Sequence, residues 1–115
     1  MMNKRFLALG RLKQGERNKL EAAYEQHLER RKQAGEIQWY SFEGIKFRLA
    51  DNCMYTPDFS VLLANGEMEI HEVKGIFRED AKIKTKVAAE LYPFRFIVVY
   101  AVPKKEGGGF RYEEF

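Results

Sequence analysis

Three charged side chains near the middle of the chain are of the types that hold and use a cation. Residues 55–75 read YTPDFSVLLANGEMEIHEVKG, two apolar runs around Asn65-Gly66, a strong signal for a β-hairpin. One run begins at Pro57-Asp58 and the other finishes in Glu72-Val73-Lys74. Charges at strand ends often do no more than face solvent. Two carboxylates and a lysine gathered by one hairpin also suit a site for a hard, oxygen-seeking cation.

Glu72 and Lys74 stand two apart on a strand, so both side chains leave the same face. Asp58 depends on the turn. A two-residue turn at Asn65-Gly66 pairs 58 with 73, matches Val61 with Ile70 and Leu63 with Met68, and throws Asp58 onto the opposite face. A three-residue loop, Ala64-Asn65-Gly66 with Gly66 left-handed, pairs 58 with 72 instead. A shared cation requires that loop, or a bulge near Pro57-Asp58. Hydrophobic matching alone favours the other register.

The elements that must position these residues follow from pattern. A helix is expected over about Lys19–Ala34, with Asn18 as its cap and Gly35 as its stop. IQWYSF and IKFRL read as strands separated by Glu43-Gly44. A second helix fits from about Glu79 to Tyr92, with acidic residues in its first turn and Pro93 ending it. FRFIVVYAV, residues 94–102, is a nearly unbroken apolar run, as expected of a strand buried on both faces. Gly107-Gly108-Gly109 then loosens the chain before FRYEEF. The last strand follows a helical crossover, so it is expected parallel to the strand ending at Lys74. The result is a small α/β domain with a mixed sheet, residues 17–115, behind a basic arm, residues 1–16.

A chain of 115 residues supports one modest core. No apolar run reaches the length of a membrane span and no signal peptide is visible, so an intracellular, cytoplasmic protein is expected. Cys53 is the only cysteine, which excludes an intrachain disulfide and a cysteine-cluster zinc site. The net charge of +3 is unevenly spread. Lys4, Arg5, Arg11, Lys13, Arg17 and Lys19 face Glu16 alone in the first twenty residues. Such an arm suits a polyanion such as nucleic acid, or is a solvated leader; composition does not choose between them.

Pro57-Asp58, a spacer, then Glu72-Val73-Lys74 resembles the signature of the PD-(D/E)xK nuclease superfamily. The expected αβββαβ order is similar to that superfamily's restriction-endonuclease-like core over roughly residues 18–102. TPDF, HEVKG and a preceding helix bearing Glu21 are most similar to small phage-borne endonucleases and Holliday-junction-resolvase-like members. The resemblance implies a metal-dependent endonuclease acting on DNA, with branched or structured DNA as its substrate and a homodimer as its working form. It implies that Asp58 and Glu72, with the Val73 carbonyl, bind Mg²⁺ or Mn²⁺. Lys74 would then orient or activate the attacking water and stabilise the charged transition state. A non-catalytic nucleic-acid-binding module that keeps the fold is the alternative; a complete Asp58, Glu72 and Lys74 set argues against it.

Other residues carry two readings. Glu21 completes a capping box with Asn18, and also falls on the rim of the Leu20, Ala23, Tyr24 and Leu28 stripe, where the resemblance implies a further metal ligand. Lys84 falls inside the apolar stripe expected from Ile83, Val87 and Leu91, so it must snorkel, find a carboxylate or point into a cleft. Lys82 and Lys86 lie off that stripe, as phosphate contacts or plain surface. His27 reads as a core-edge histidine, and His71 alternates away from Glu72 and Lys74. Trp39, Tyr40, Phe42 and Phe47 read as core or interface, or as a stacking surface for a base.

Overall fold

The computed structural model describes residues 17–74 and 79–115, so Lys4, Arg5, Arg11 and Lys13 of the basic arm lie outside the described residues. The first helix, α1 (Lys19–Gln33), starts where Asn18 Oδ1 accepts the Glu21 N–H. It stops at Ala34, with Gly35 at φ 85°, a left-handed turn that glycine adopts without steric cost.

Five strands form one mixed sheet in the order β1-β4-β5-β6-β7. They are β1 (Ile37–Phe42), β4 (Phe59–Leu63), β5 (Met68–Lys74), β6 (Arg95–Ala101) and β7 (Phe110–Glu114). The β1/β4, β4/β5 and β6/β7 pairs are antiparallel, and β5/β6 is parallel. The parallel pair is the one expected from the intervening helix, α2 (Glu79–Leu91). Among the described residues no helix is long and apolar enough to cross a membrane.

The odd residues of β5 face α1 and the even ones face α2. Tyr24 and Leu28 of α1 pack on Phe59, Val61, Val73, Ile97 and Val99, while Ala88 of α2 packs with Phe47, Tyr55, Ile70 and Phe96. A bulge between Ile37 and Trp39 lets Ile37, Tyr40 and Phe42 all join the α1 face.

Three expectations are corrected. IKFRL does not enter the main sheet. Its C-terminal part is β2 (Phe47–Ala50), which folds back on β3 (Cys53–Tyr55) as a separate two-stranded sheet. Tyr92 fastens this unit to the end of α2 by donating to the Arg48 carbonyl at 2.6 Å. FRYEEF, to which the pattern assigns no element, contributes β7, the strand at one edge of the main sheet. The α2 stripe is rotated from the one its aliphatic residues suggest. Thr85 and Ala88 are buried, while Ile83 and Leu91 are 55% and 54% exposed. A threonine can take an inward position when its hydroxyl is satisfied there, and the Tyr55 hydroxyl lies 3.1 Å from Thr85 Oγ1.

Candidate metal centre

The hairpin takes the three-residue loop. Phe59 faces His71, Ser60 faces Ile70 and Leu62 faces Met68. The Leu63 N–H donates to the Glu67 carbonyl, and Gly66 sits at φ 93°. The hydrophobically matched two-residue turn is therefore not used. Continued by one residue, the observed register sets Asp58 opposite Glu72.

The ladder stops at the Phe59–His71 pair, short of Pro57, for a chemical reason. In an antiparallel pair, alternate residues exchange both backbone bonds. Leu63 gives its N–H to the Glu67 carbonyl, which marks that pair as a hydrogen-bonded position, so the same alternation brings 57 opposite 73. Proline has no N–H to give the Val73 carbonyl. Asp58 takes over part of the ladder's role, because its Oδ2 accepts the Val73 N–H at 2.8 Å. A strand residue points its N–H and C=O to the same side, so the Val73 carbonyl is also turned toward the Pro57-Asp58 end.

Both carboxylates are buried, Asp58 at 7% and Glu72 at 5% exposure. Glu72 Oε1 accepts from the Tyr55 hydroxyl at 2.8 Å, and Lys74 Nζ lies 2.9 Å from Glu72 Oε2. Burial, then the nearby Glu72 charge, pushes the Asp58 carboxyl up to about 8. The Val73 N–H and Lys74 oppose that rise, and Glu21 adds to it. Burial works against the Lys74 charge, but Glu72 by charge and hydrogen bond, with Asp58 and Glu21, holds its ammonium above the usual lysine range.

These residues fit a hard divalent cation. The donors are all oxygen, two carboxylates and a backbone carbonyl, as Mg²⁺ or Mn²⁺ prefers. With Asp58 ionised the two buried carboxylates would share one lysine and call for a further positive charge; the Lys74 ammonium already meets Glu72 Oε2. Among the described residues no three His, Cys, Asp or Glu side chains are gathered closely enough to hold a metal on their own. Two carboxylates and the carbonyl must share the task with water.

The other candidates are placed less centrally. Glu21 forms the capping box, its Oε1 accepting the Asn18 N–H at 3.0 Å, so its metal-ligand reading lacks a carboxylate turned wholly to the centre. Its charge still acts on Asp58 and Lys74. Lys84 snorkels outward and donates to the Met54 carbonyl at 3.1 Å, so it is not gathered with the carboxylates. Lys82 is half-buried, and Lys86 is exposed with its ammonium 6.0 Å from the Phe115 ring. His71 faces α1, with Nδ1 2.6 Å from the Tyr24 hydroxyl. His27 stacks on Tyr24 and meets the Tyr112 hydroxyl at 3.0 Å.

Sequence reasoning missed Tyr55 and Thr85. The Tyr55 hydroxyl bonds both Glu72 and Thr85 and so joins β3, α2 and β5, three elements whose mutual packing no residue spacing encodes.

Fold and site together define an α/β protein with two carboxylates and a lysine at one end of a mixed sheet. The chain belongs to the family described as "Protein of unknown function (DUF1064)", whose model matches residues 16–104. That span takes in Tyr55, Asp58, Glu72, Lys74 and Thr85. No curated protein and no solved structure matches the chain.

Proposed function

We propose that this protein is a metal-dependent endonuclease that hydrolyses DNA phosphodiester bonds on a restriction-endonuclease-like core. The observation that carries the reading is the buried Asp58–Glu72 pair with Lys74 beside it, built where the ladder stops short of Pro57. Both carboxylates can be ionised together only if a second positive charge joins Lys74, and a purely structural cluster has no need of a carboxyl held in that state.

Asp58, Glu72 and the Val73 carbonyl would hold Mg²⁺ or Mn²⁺, which supplies Lewis acidity to offset the charge that builds on the phosphate oxygens. The other contributions come from the chain. Asp58 must give up its proton for both carboxylates to serve as ligands. Lys74 would orient or activate the attacking water and stabilise the charged transition state. The basic arm would add affinity by neutralising phosphates, giving a salt slope of about 0.9 per contact on duplex DNA. One site cuts one strand, so paired cuts would call for a homodimer.

The test is cleavage of duplex, single-stranded and four-way DNA with and without Mg²⁺, by wild type and Lys74→Ala. Mg²⁺-dependent cleavage by wild type alone is expected. DNA binding without cleavage under any of these conditions points to the binding-module alternative.

A further inference from the structure

Glu72 is held from behind by the Tyr55 hydroxyl, itself backed by the Thr85 hydroxyl, both outside the main sheet. Tyr55, on β3, and Thr85, on α2, are both buried, at 6% and 1% exposure. The Tyr55 hydroxyl has one proton and gives it to Glu72 Oε1 at 2.8 Å. Its contact with Thr85 Oγ1 at 3.1 Å must therefore be one in which Thr85 donates. The chain of donors runs Thr85 to Tyr55 to Glu72, from the helix through the small sheet into the centre.

Each Glu72 oxygen thus has its own neighbour. Oε1 is turned to the buried Tyr55, while Oε2 meets Lys74, whose side chain is 30% exposed. We infer that Tyr55, backed by Thr85, is a positioning residue: it holds the Glu72 carboxylate in one orientation and presents Oε2 for a divalent cation. The inference rests on the metal-centre reading above. Partners that orient a ligating carboxylate act on metal affinity without touching the metal. A carboxylate free to rotate must lose that freedom on binding, whereas one already hydrogen-bonded has lost it in folding. Tyr55 and Thr85 also tie the centre to the placement of α2 and the β2–β3 unit.

The experiment is calorimetric titration of Mn²⁺ into the full-length chain without DNA, for wild type, Tyr55→Phe, Thr85→Val and the double variant. Tyr55→Phe keeps the buried ring and removes only the hydroxyl. It is expected to bind Mn²⁺ about 10- to 100-fold more weakly. Thr85→Val should show a smaller loss. The double variant should bind no more weakly than Tyr55→Phe alone, since Thr85 acts through the phenol; a purely structural role would give additive losses. Additive losses, or unchanged affinity in Tyr55→Phe beside a wild type that binds, overturn the positioning role and leave the centre standing. A wild type that takes up no Mn²⁺ removes the metal reading and this inference with it. Should Tyr55→Phe fail to fold, Thr85→Val decides: weaker binding at an unchanged unfolding midpoint supports the role, and unchanged binding overturns it.

Discussion

Strand β5 carries a buried polar cluster on each of its two faces, and the clusters are built differently. Toward α1, His71 bonds the Tyr24 hydroxyl through Nδ1 and Glu69 through Nε2, and Glu69 in turn meets Arg95 at 2.8 Å. Arg95 also takes Glu114 through two N–H groups. The His71 hydrogen bond, against burial and with the His71 and Arg95 charges, holds Glu69 below the usual carboxylate range. Toward α2, Asp58 and Glu72 share Lys74, and Asp58 is pushed up to about 8. Every buried side-chain polar atom among the described residues has a partner, so satisfaction of hydrogen bonds does not separate the two. The ionisation of the buried carboxyl does: Glu69 is held in its charged form, whereas Asp58 is driven toward its protonated one. The first cluster also borders a cavity of about 580 Å³ lined by His27, Arg31, Arg95 and Tyr112, yet the second, with its strongly raised carboxyl, is the better candidate for chemistry.

The comparison is broken most directly by substitution on both faces. Asp58→Ala and Lys74→Ala are each expected to lower Mg²⁺-dependent cleavage by at least ~10²-fold, the usual loss when a group acting on the transition state is removed. Glu69→Gln, on the same strand, should cleave within a few-fold of wild type once its folding is verified. DNA binding is expected to survive Asp58→Ala or to tighten, because a carboxylate near phosphate has gone. Single-turnover cleavage at saturating protein measures this; similar losses from the two faces would erase the distinction.

Stability should show the reverse order. His71→Ala takes a partner from the buried Tyr24 phenol and one of two partners from the buried Glu69 carboxylate, and should cost about 2–4 kcal/mol in urea unfolding. Asp58→Asn removes the charge that burial resists while leaving an oxygen for the Val73 N–H. Without metal it is expected to stabilise the fold.

The two faces should also tilt the pH profile in opposite directions. Asp58 is raised on folding from 3.8 to about 8, so the folded state holds a proton that the unfolded chain loses. Stability should fall as pH rises from about 4 to about 8. His71 is lowered, chiefly by burial, so the unfolded chain binds a proton the folded one refuses. Its contribution is lost as pH falls below about 6.5. Urea midpoints from pH 4 to 9 should lose their fall toward pH 8 in Asp58→Asn, most visibly between about 6.5 and 8 where His71 does not oppose it, and lose their acid-side drop in His71→Gln. An unchanged slope between about 6.5 and 8 in Asp58→Asn would mean that Asp58 carries no excess burial cost.

Much of this was legible in the residues, and the gaps have physical causes. The caps of α1, the crossover to β6 and the same-face relation of Glu72 and Lys74 follow from local chemistry and strand periodicity. The hairpin register was open between two turns. Aliphatic matching favoured the wrong one because Val61, opposite Glu69, packs toward α1 and needs no apolar partner across the ladder. The stripe of α2 was misread because Thr85 counts as polar in a pattern, although Tyr55 satisfies it inside. The β2–β3 unit and β7 were missed because short strands around Asn52, at φ 57°, or after three glycines show too few residues for a period.

The smallest expected effect tests whether the call for a further positive charge is real. Lys84 is the residue a helical wheel would send to supply it, since it sits one residue from Thr85 and follows the strand bearing Lys74. In the structure its ammonium is spent on the Met54 carbonyl at the surface. Lys84→Met keeps the aliphatic stem and removes the charge. It should leave cleavage within about twofold and change stability by no more than ~0.5 kcal/mol, the range for surface positions. Cleavage and unfolding of the one variant measure both. A tenfold loss of cleavage at unchanged stability would show that Lys84 leaves Met54 and joins the centre when DNA binds. The α2 face would then keep both carboxylates ionised in the complex, and the contrast with the α1 face would hold only for the free protein.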